Sequence, residues 1–71
     1  MPEIRLGKYQ HYKTREFYEV IGVAYNSETL EPLVVYRALY GDHSLWARPY
    51  AMFTGTVTVD GKTLPRFQKV G

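Results

Sequence analysis

The amino-acid sequence predicts a small all-β domain. Hydrophobic residues recur with a period of two, as in the segment from Glu16 to Tyr25 (EFYEVIGVAY), and this period is typical of strands. Turn signals separate such segments, and none has the apolar spacing of a long helix. The chain has 71 residues, 45% of them hydrophobic and 15% aromatic, which is enough for one core. We therefore expect a single domain over residues 1–71, with an ordered core at about residues 7–69.

Five or six short antiparallel strands are predicted. In order they cover residues 7–13 (GKYQHYK), 16–25, 33–40 (LVVYRALY), 45–48 (LWAR), 55–59 and 62–67. A polar segment ending in proline (NSETLEP, 26–32) connects the second strand to the third. The last two strands flank Asp60-Gly61, which is the strongest hairpin signal in the chain.

The segment from Pro49 to Phe53 (PYAMF) is too short for a regular helix. Because proline presets φ at the start of a turn, we expect one 3₁₀ turn at about residues 49–53. Short strands, tight turns and one 3₁₀ turn before the last strands favour an SH3-like barrel. An OB-fold is less favoured, since it usually has more residues and a helix after its third strand.

Composition restricts the possible functions. The formal net charge is +2 and the basic residues are dispersed, so nucleic-acid binding is permitted but not indicated. The chain has no cysteine, which excludes disulfides and thiolate metal sites. The N-terminal residues do not resemble a signal peptide, and no window is apolar enough to span a membrane. We expect a cytoplasmic protein with no cofactor and no membrane partner.

A two-residue turn at Asp42-His43 would set the register of the third and fourth strands, with Arg37 directly opposite Arg48. If residues 26–32 close the preceding hairpin with Tyr25 opposite Leu33, Gly22 of the second strand lies opposite Tyr36. Alternation of side chains predicts an interior face formed by Tyr18, Val20, Ala24, Val34, Tyr36, Ala38, Tyr40, Leu45 and Ala47. The other face would carry Arg37, Trp46 and Arg48.

Two opposed arginines are destabilising unless something compensates for their charge. Glu19, diagonal to Arg37, can form an ion pair with it, and Trp46 can stack on a guanidinium. An anionic ligand can also lie between the two forked donors. Arg37, Trp46 and Arg48 are therefore the candidate ligand-binding residues. A bulge in the turn would turn the side chains of the fourth strand to the opposite face and separate the arginines.

Other polar groups give weaker signals. His11 and His43 lack the spacing of metal ligands, so we predict no metal site and interpret His11 as a hydrogen-bonded, half-buried residue. The segment SETLE (27–31) is expected to cap its own backbone. The seven tyrosines can form either a stacking surface or, as we favour, walls of the core. No pattern suggests a nucleophile paired with a base, so no catalytic residue is predicted.

The residues resemble the bacterial family known as domain of unknown function 1653, over Gly7 to about Lys69. The matching motifs are HYK (11–13), YEVIGVA (18–24), SETLE (27–31), VVYRALYGD (34–42), LWARP (45–49), MF (52–53) and PRF (65–67). The resemblance implies a small β domain that stands alone, with a fold of the SH3-like type. It carries no assigned activity, so it adds no functional residue.

The function that the sequence favours is a non-enzymatic binding module. Its partner would be a peptide, an anionic group or a nucleic-acid strand, bound around Arg37, Trp46 and Arg48. The alternative is a structural or interaction protein that dimerises through a sheet edge or its second apolar face, so either a monomer or a weak homodimer is expected. An enzyme is the least favoured class.

Overall fold

The computed structural model describes residues 3–71. In chain order the elements are β1 (Gly7–His11), β2 (Phe17–Tyr25), β3 (Pro32–Ala38), β4 (Leu45–Pro49), α1 (Tyr50–Phe53), β5 (Thr56–Val59), β6 (Lys62–Pro65) and β7 (Phe67–Lys69). The predicted all-β class is confirmed. The last predicted strand is divided at Arg66, so that its end forms the separate strand β7.

The strands form two antiparallel sheets. A five-stranded sheet has the order β4-β3-β2-β1-β7, and β5 and β6 form a two-stranded sheet. Their hairpin closes at Asp60-Gly61, where both residues have positive φ and Val59 pairs with Lys62, as expected for this turn. Within residues 3–71 the strand pairing does not close a barrel. The SH3-like barrel therefore goes beyond the observed connectivity and stays a prediction.

A single helical turn follows β4 at the predicted place. Pro49 precedes it with extended ψ, and the N–H of Thr54 donates to the carbonyl of Tyr50 at 3.0 Å. Since this bond joins residues four apart, the turn is α-helical and the predicted 3₁₀ type is wrong. The turn places Phe53, which is 1% exposed, in the centre of the core.

The core consists mainly of aromatic rings and valines. Its buried members are Tyr9, Val20, Val34, Tyr36, Phe53 and Phe67. The rings pack edge-on or tilted, except that Phe53 and Phe67 stack with centroids 4.1 Å apart. Aromatic rings bury large areas, and such a core suits a chain this short. Alternation within β3 buries Val34, Tyr36 and Ala38 as predicted.

Part of the predicted interior is exposed. Val20 is buried and Tyr18 is half-buried, in agreement with the prediction, whereas the residues placed inside incorrectly are Ala24, Tyr40, Leu45 and Ala47. A β-bulge at Ile21 explains the first of these errors, since Val20 pairs with Tyr36 but Gly22 pairs with Val35. The extra residue exchanges the faces beyond it, so Val23 turns inward and Ala24 outward. Gly22 therefore does not lie opposite Tyr36.

Two tyrosine hydroxyls hold the segment that precedes β1. Tyr9 Oη donates to the carbonyl of Arg5 and Tyr50 Oη to the carbonyl of Glu3, each at 2.7 Å. Ile4 packs between them against the core. Satisfying backbone carbonyls in this way fixes the path of a segment that has no strand partner.

Candidate functional site

The pairing of β3 with β4 decides where the predicted site residues lie. Trp46 lies opposite Tyr36, Arg48 opposite Val34 and Leu45 opposite Arg37. Residues that pair directly share a face of the sheet, so Trp46 and Arg48 lie on the face of the buried core residues. Arg37 lies on the other face. The predicted opposition of Arg37 and Arg48 is therefore wrong, and the structure brings together only Trp46 and Arg48.

The loop between β3 and β4 causes this difference. It contains six residues, 39–44, instead of a two-residue turn. A turn at its tip is closed by the N–H of His43 donating to the carbonyl of Tyr40 at 3.1 Å, and His43 has a φ of 57°. The Asp42 carboxylate accepts hydrogen bonds from the N–H and the hydroxyl of Ser44. The register moves by three residues, and an odd shift turns every β4 side chain to the opposite face.

Arg37 has a structural contact on its own face. Its Nη1 donates to the carbonyl of His43 at 3.1 Å, within the same loop. Glu19 lies directly opposite Arg37 in the pairing of β2 with β3, where the sequence had predicted a diagonal position. These contacts connect Arg37 to the loop and separate it from Arg48 by the thickness of the sheet.

Arg48 is half-buried among aromatic rings. Its Nε donates to the hydroxyl of Tyr36 at 3.4 Å, and its guanidinium carbon lies 5.6 Å from the centroid of the Phe67 ring. That distance is within the range of a cation–π contact. A guanidinium has five N–H donors in a planar fork, and the bond to Tyr36 uses one of them. The other N–H donors of Arg48 make no side-chain hydrogen bond within residues 3–71, while Tyr36 and Phe67 contact the guanidinium.

Trp46 extends the same face towards solvent. It is 56% exposed and lies two residues from Arg48 on β4. Strand β4 is at the edge of the five-stranded sheet, and its neighbour Leu45 is 55% exposed. The exposed indole of Trp46 offers a flat apolar surface, and the guanidinium of Arg48 beside it offers N–H donors in a planar fork.

Tyr36 and Phe67, which contact Arg48, pack together with Tyr18 and Tyr40 in what we call the aromatic cluster. Tyr18 packs edge-on against Tyr36, Tyr40 and Phe67, with centroids 5.4–5.6 Å apart. The hydroxyls of Tyr18 and Tyr40 are hydrogen-bonded at 2.8 Å. Burial and this hydrogen bond raise the pKa of Tyr18 well above its usual range. Tyr18 is thus neutral at physiological pH.

The tyrosines divide between core and surface. Tyr9 and Tyr36 are buried, the half-buried members are Tyr12, Tyr18 and Tyr50, and Tyr25 and Tyr40 are exposed. The core-wall interpretation therefore describes most of them. Tyr40 differs from the core tyrosines, because its ring packs against Tyr18 in the aromatic cluster and is nevertheless exposed to solvent.

His11 lies at the other side of Phe67. Its ring is edge-on to Phe67 at 4.9 Å and stacks on Tyr12 at 5.0 Å. Nδ1 accepts hydrogen bonds from the N–H groups of Lys13 and Thr14 at 3.1 and 3.4 Å, which requires an unprotonated Nδ1. The predicted hydrogen-bonded, half-buried histidine is confirmed. Its aromatic neighbours are Tyr12 and Phe67.

Burial and positive charge keep His11 neutral. Burial is the larger cause that lowers its pKa, and the charges of Arg48, Arg66 and Lys13 lower it further. Arg66 is a neighbour that the sequence did not single out, and its Nε is buried with no hydrogen-bond partner. The PRF motif was the available signal, but nothing in it indicated that the charge of the arginine would act on His11. The site therefore has two guanidiniums beside a neutral imidazole.

This arrangement presents N–H donors of a kind that suits an anion. A guanidinium attracts carboxylate or phosphate and repels a quaternary ammonium, which aromatic cages otherwise bind. No cluster of metal-ligating side chains is found in residues 3–71.

The loop after β2 is held by its own side chains, since Asn26 Oδ1 accepts from Glu28 N–H and Thr29 Oγ1 from Glu31 N–H. The capping role expected there is confirmed for Thr29.

Comparison with known proteins decides the family. The family described as protein of unknown function DUF1653 matches residues 7–69. The chain belongs to the DUF1653 family. A DUF1653 protein from Bordetella bronchiseptica, known from a crystal structure, is 35% identical, with a TM-score of 0.85 over 97% of this chain and 90% of that one. No curated protein matches the chain. The resemblance seen in the sequence is thus confirmed, and DUF1653 carries no assigned activity.

No helix in the described part of this DUF1653 chain is long and apolar enough to cross a membrane.

Proposed function

We propose that this DUF1653 domain is a non-enzymatic binding module that holds an anionic group of its partner at Arg48 and a flat group of the same partner on Trp46. The observation that carries the proposal is the β3–β4 register, which puts both side chains on one face beside Tyr36. The guanidinium is held by the Tyr36 hydroxyl and the Phe67 ring. A held donor loses little freedom when a ligand binds, and this favours affinity.

The exposed indole supports a partner with a planar group. Trp46 is more than half exposed beside a strand edge, and a stacked base is worth about 1–3 kcal/mol on such a platform. A phosphate next to the base would then meet Arg48. A nucleic-acid strand meets both requirements, and an acidic peptide with an aromatic side chain is the competing partner. Arg37 is no longer part of the proposed site.

The test is a heteronuclear NMR titration of the ¹⁵N-labelled chain at low salt. A short oligothymidylate and an acidic peptide containing phenylalanine are the two probes, and inorganic phosphate is the third. We expect saturable shifts at Trp46 and Arg48, and a loss of affinity of about tenfold in Trp46→Ala. Arg48→Gln should weaken binding and flatten the salt dependence.

Arg37→Gln is the matched control, since it removes the same charge from the opposite face. It should leave the affinity nearly unchanged. An equal loss of affinity in Arg37→Gln and Arg48→Gln would mean that only the net charge of the chain matters. That result would contradict a site at Arg48. Absence of shifts with all three probes would contradict the binding function itself.

A second candidate function is self-association through β4. This strand pairs with β3 alone in the five-stranded sheet and exposes Leu45 and Trp46, and such edges are templates for pairing with another chain. Sedimentation at increasing protein concentration tests this function, and a Leu45→Lys variant should abolish any dimer. A monomer at all concentrations would exclude it.

The finer predictions from the sequence belong to the same proposal. We retain an SH3-like barrel as the form of the binding domain and the cytoplasm as its location, since a chain without cysteine suits a reducing compartment. The closure of a barrel by a contact between the β5–β6 hairpin and the large sheet would be visible as long-range NOEs.

A further inference from the structure

A pocket lies against the core, and Trp46 is not among the residues that line it. It has a volume of about 270 Å³ and is bordered by the segment before β1, by α1 and by β6 and β7. The rings of Tyr9, Phe53 and Phe67 form its floor, and these are among the most buried side chains of the domain. The pocket therefore reaches the centre of the core.

This pocket opens to solvent and is large enough for a small ligand. For comparison, an enclosed apolar cavity of about 150 Å³ in another protein binds benzene. Ile4 and the three rings make the interior of the pocket apolar, so water has few partners there. A ligand with one flat apolar ring fits this space.

The border of the pocket carries a positive charge. Lys69 is the charged member of its lining among the residues described, and its Nζ donates to the carbonyl of Gly71 at 2.7 Å. A Cβ on Gly7 would lie only 3.3 Å from Cε and Nζ of Lys69, so Gly7 leaves the space in which the ammonium group lies. An ammonium has three N–H donors, and one of them makes the bond to Gly71.

We propose that this pocket binds a small aryl carboxylate, with its ring on Tyr9, Phe53 and Phe67 and its carboxylate on Lys69. The apolar floor supplies the area that a ring buries, and the ammonium supplies a charge-assisted hydrogen bond. Small-molecule sites usually combine an apolar lining with a few placed polar groups. This site shares Phe67 with the aromatic cluster but not Trp46 or Arg48, and it goes beyond the binding function proposed above.

The experiment compares phenylacetate with its neutral isostere phenylacetamide in NMR titrations of the whole chain. We expect saturable shifts of the amides of Thr54, Phe67 and Lys69 with phenylacetate, and an affinity about tenfold lower for phenylacetamide. Lys69→Gln should remove this difference between the two ligands. Lys62→Gln, which removes a lysine from the exposed β6 strand, should preserve it.

Three results would overturn the proposal. They are the absence of saturable shifts with phenylacetate, equal affinities for the two ligands in the wild-type chain, and an unchanged preference in Lys69→Gln. The indole signal of Trp46 distinguishes the two sites. Phenylacetate shifts confined to Trp46 and Arg48 would support the anion site and refute the pocket, whereas shifts at Lys69 alone support the pocket whatever the fate of the anion site.

Discussion

Phe53 and Phe67 stack almost parallel in the core, with an interplanar angle of 6° and centroids 4.1 Å apart. One ring comes from the single helical turn and the other from the last strand. Their contact joins β7 to the segment after β4, and the rings of Tyr9, Tyr18 and Tyr36 each pack on one or both of them. The domain should therefore depend heavily on this pair.

Phe67→Ala should destabilise the domain by about 3–5 kcal/mol, because it removes a buried ring and leaves a cavity. That loss is a large fraction of the total stability of a small domain. Urea unfolding followed by tyrosine fluorescence measures it. Phe17→Ala, at a partly exposed ring under Lys8, is the control and should cost about 1 kcal/mol. Equal losses in the two variants would contradict the central role of the stacked pair.

Acid should destabilise the domain through His11. Its pKa is lowered in the folded state from the ordinary value of 6.5, so the unfolded chain takes up its proton first as the pH falls. The stability associated with neutral His11 is complete above about pH 6.5 and is lost as the pH falls from there towards the folded-state pKa. Protonation of Nδ1 would also break its bonds to the N–H groups of Lys13 and Thr14.

His11→Asn is the matched variant, since the Asn Oδ1 can accept the same two hydrogen bonds but does not titrate. The free energy of unfolding, measured by urea at several pH values, should fall less for this variant between neutral and mildly acidic pH. Asp42 contributes only at lower pH, since hydrogen bonds from Ser44 lower its carboxyl pKa. A variant with the same slope as the wild type would show that another group carries the acid sensitivity.

Gly55→Ala should destabilise the domain, whereas Gly22→Ala should not. A Cβ on Gly55 would lie 2.9 Å from the backbone carbonyl oxygen of Ala51, but one on Gly22 has no atom within 4 Å. Overpacking against backbone costs about 1–3 kcal/mol, while alanine at an unstrained glycine position stabilises by up to about 1 kcal/mol. Thermal unfolding of both variants checks the opposite signs. A neutral Gly55→Ala would mean that the turn after α1 shifts freely.

Tyr40→Phe should lower the pKa of Tyr18 without returning it to the ordinary value of 10.0. The variant removes the hydrogen bond between the two hydroxyls, but burial of Tyr18, which is the larger cause, remains. An alkaline titration followed by the ¹³Cζ shifts of the tyrosines measures the change. Tyr25→Phe, at an exposed ring, should leave Tyr18 unaffected. An unchanged Tyr18 pKa in Tyr40→Phe would show that burial alone accounts for the shift.

The predictions from sequence that proved correct depend on residues close together in the chain. The hairpin at Asp60-Gly61 follows from the φ values that these residues tolerate, and the helical turn follows Pro49 for a similar local reason. The burial of Tyr36 and Ala38 follows from alternation within one strand. Of the three candidate site residues, Trp46 and Arg48 share a face in any register, because they lie two residues apart on β4.

The error over Arg37 has one physical cause. Alternation fixes which residues of a strand share a face. It does not fix which of the two faces of β4 lies on the same side of the sheet as the buried face of β3. That choice depends on the length of the connecting loop, and the loop after β3 is held by contacts distant in sequence. The N–H of Leu39 donates to the carbonyl of Phe17 at 3.0 Å, and Tyr40 bonds to Tyr18. No local pattern contains that information.

The amino-acid sequence by itself determined that this is an all-β domain of the DUF1653 family, with the hairpin at Asp60-Gly61 and the buried face of β3. The tertiary structure alone decided the bulge at Ile21 and the register of β4, and therefore which side chains lie next to Arg48. It also brought His11 against Phe67 and within reach of the charge of Arg66. Side-chain types and strand periods are local properties, whereas register is set by packing and hydrogen bonds between segments that meet only in the folded chain.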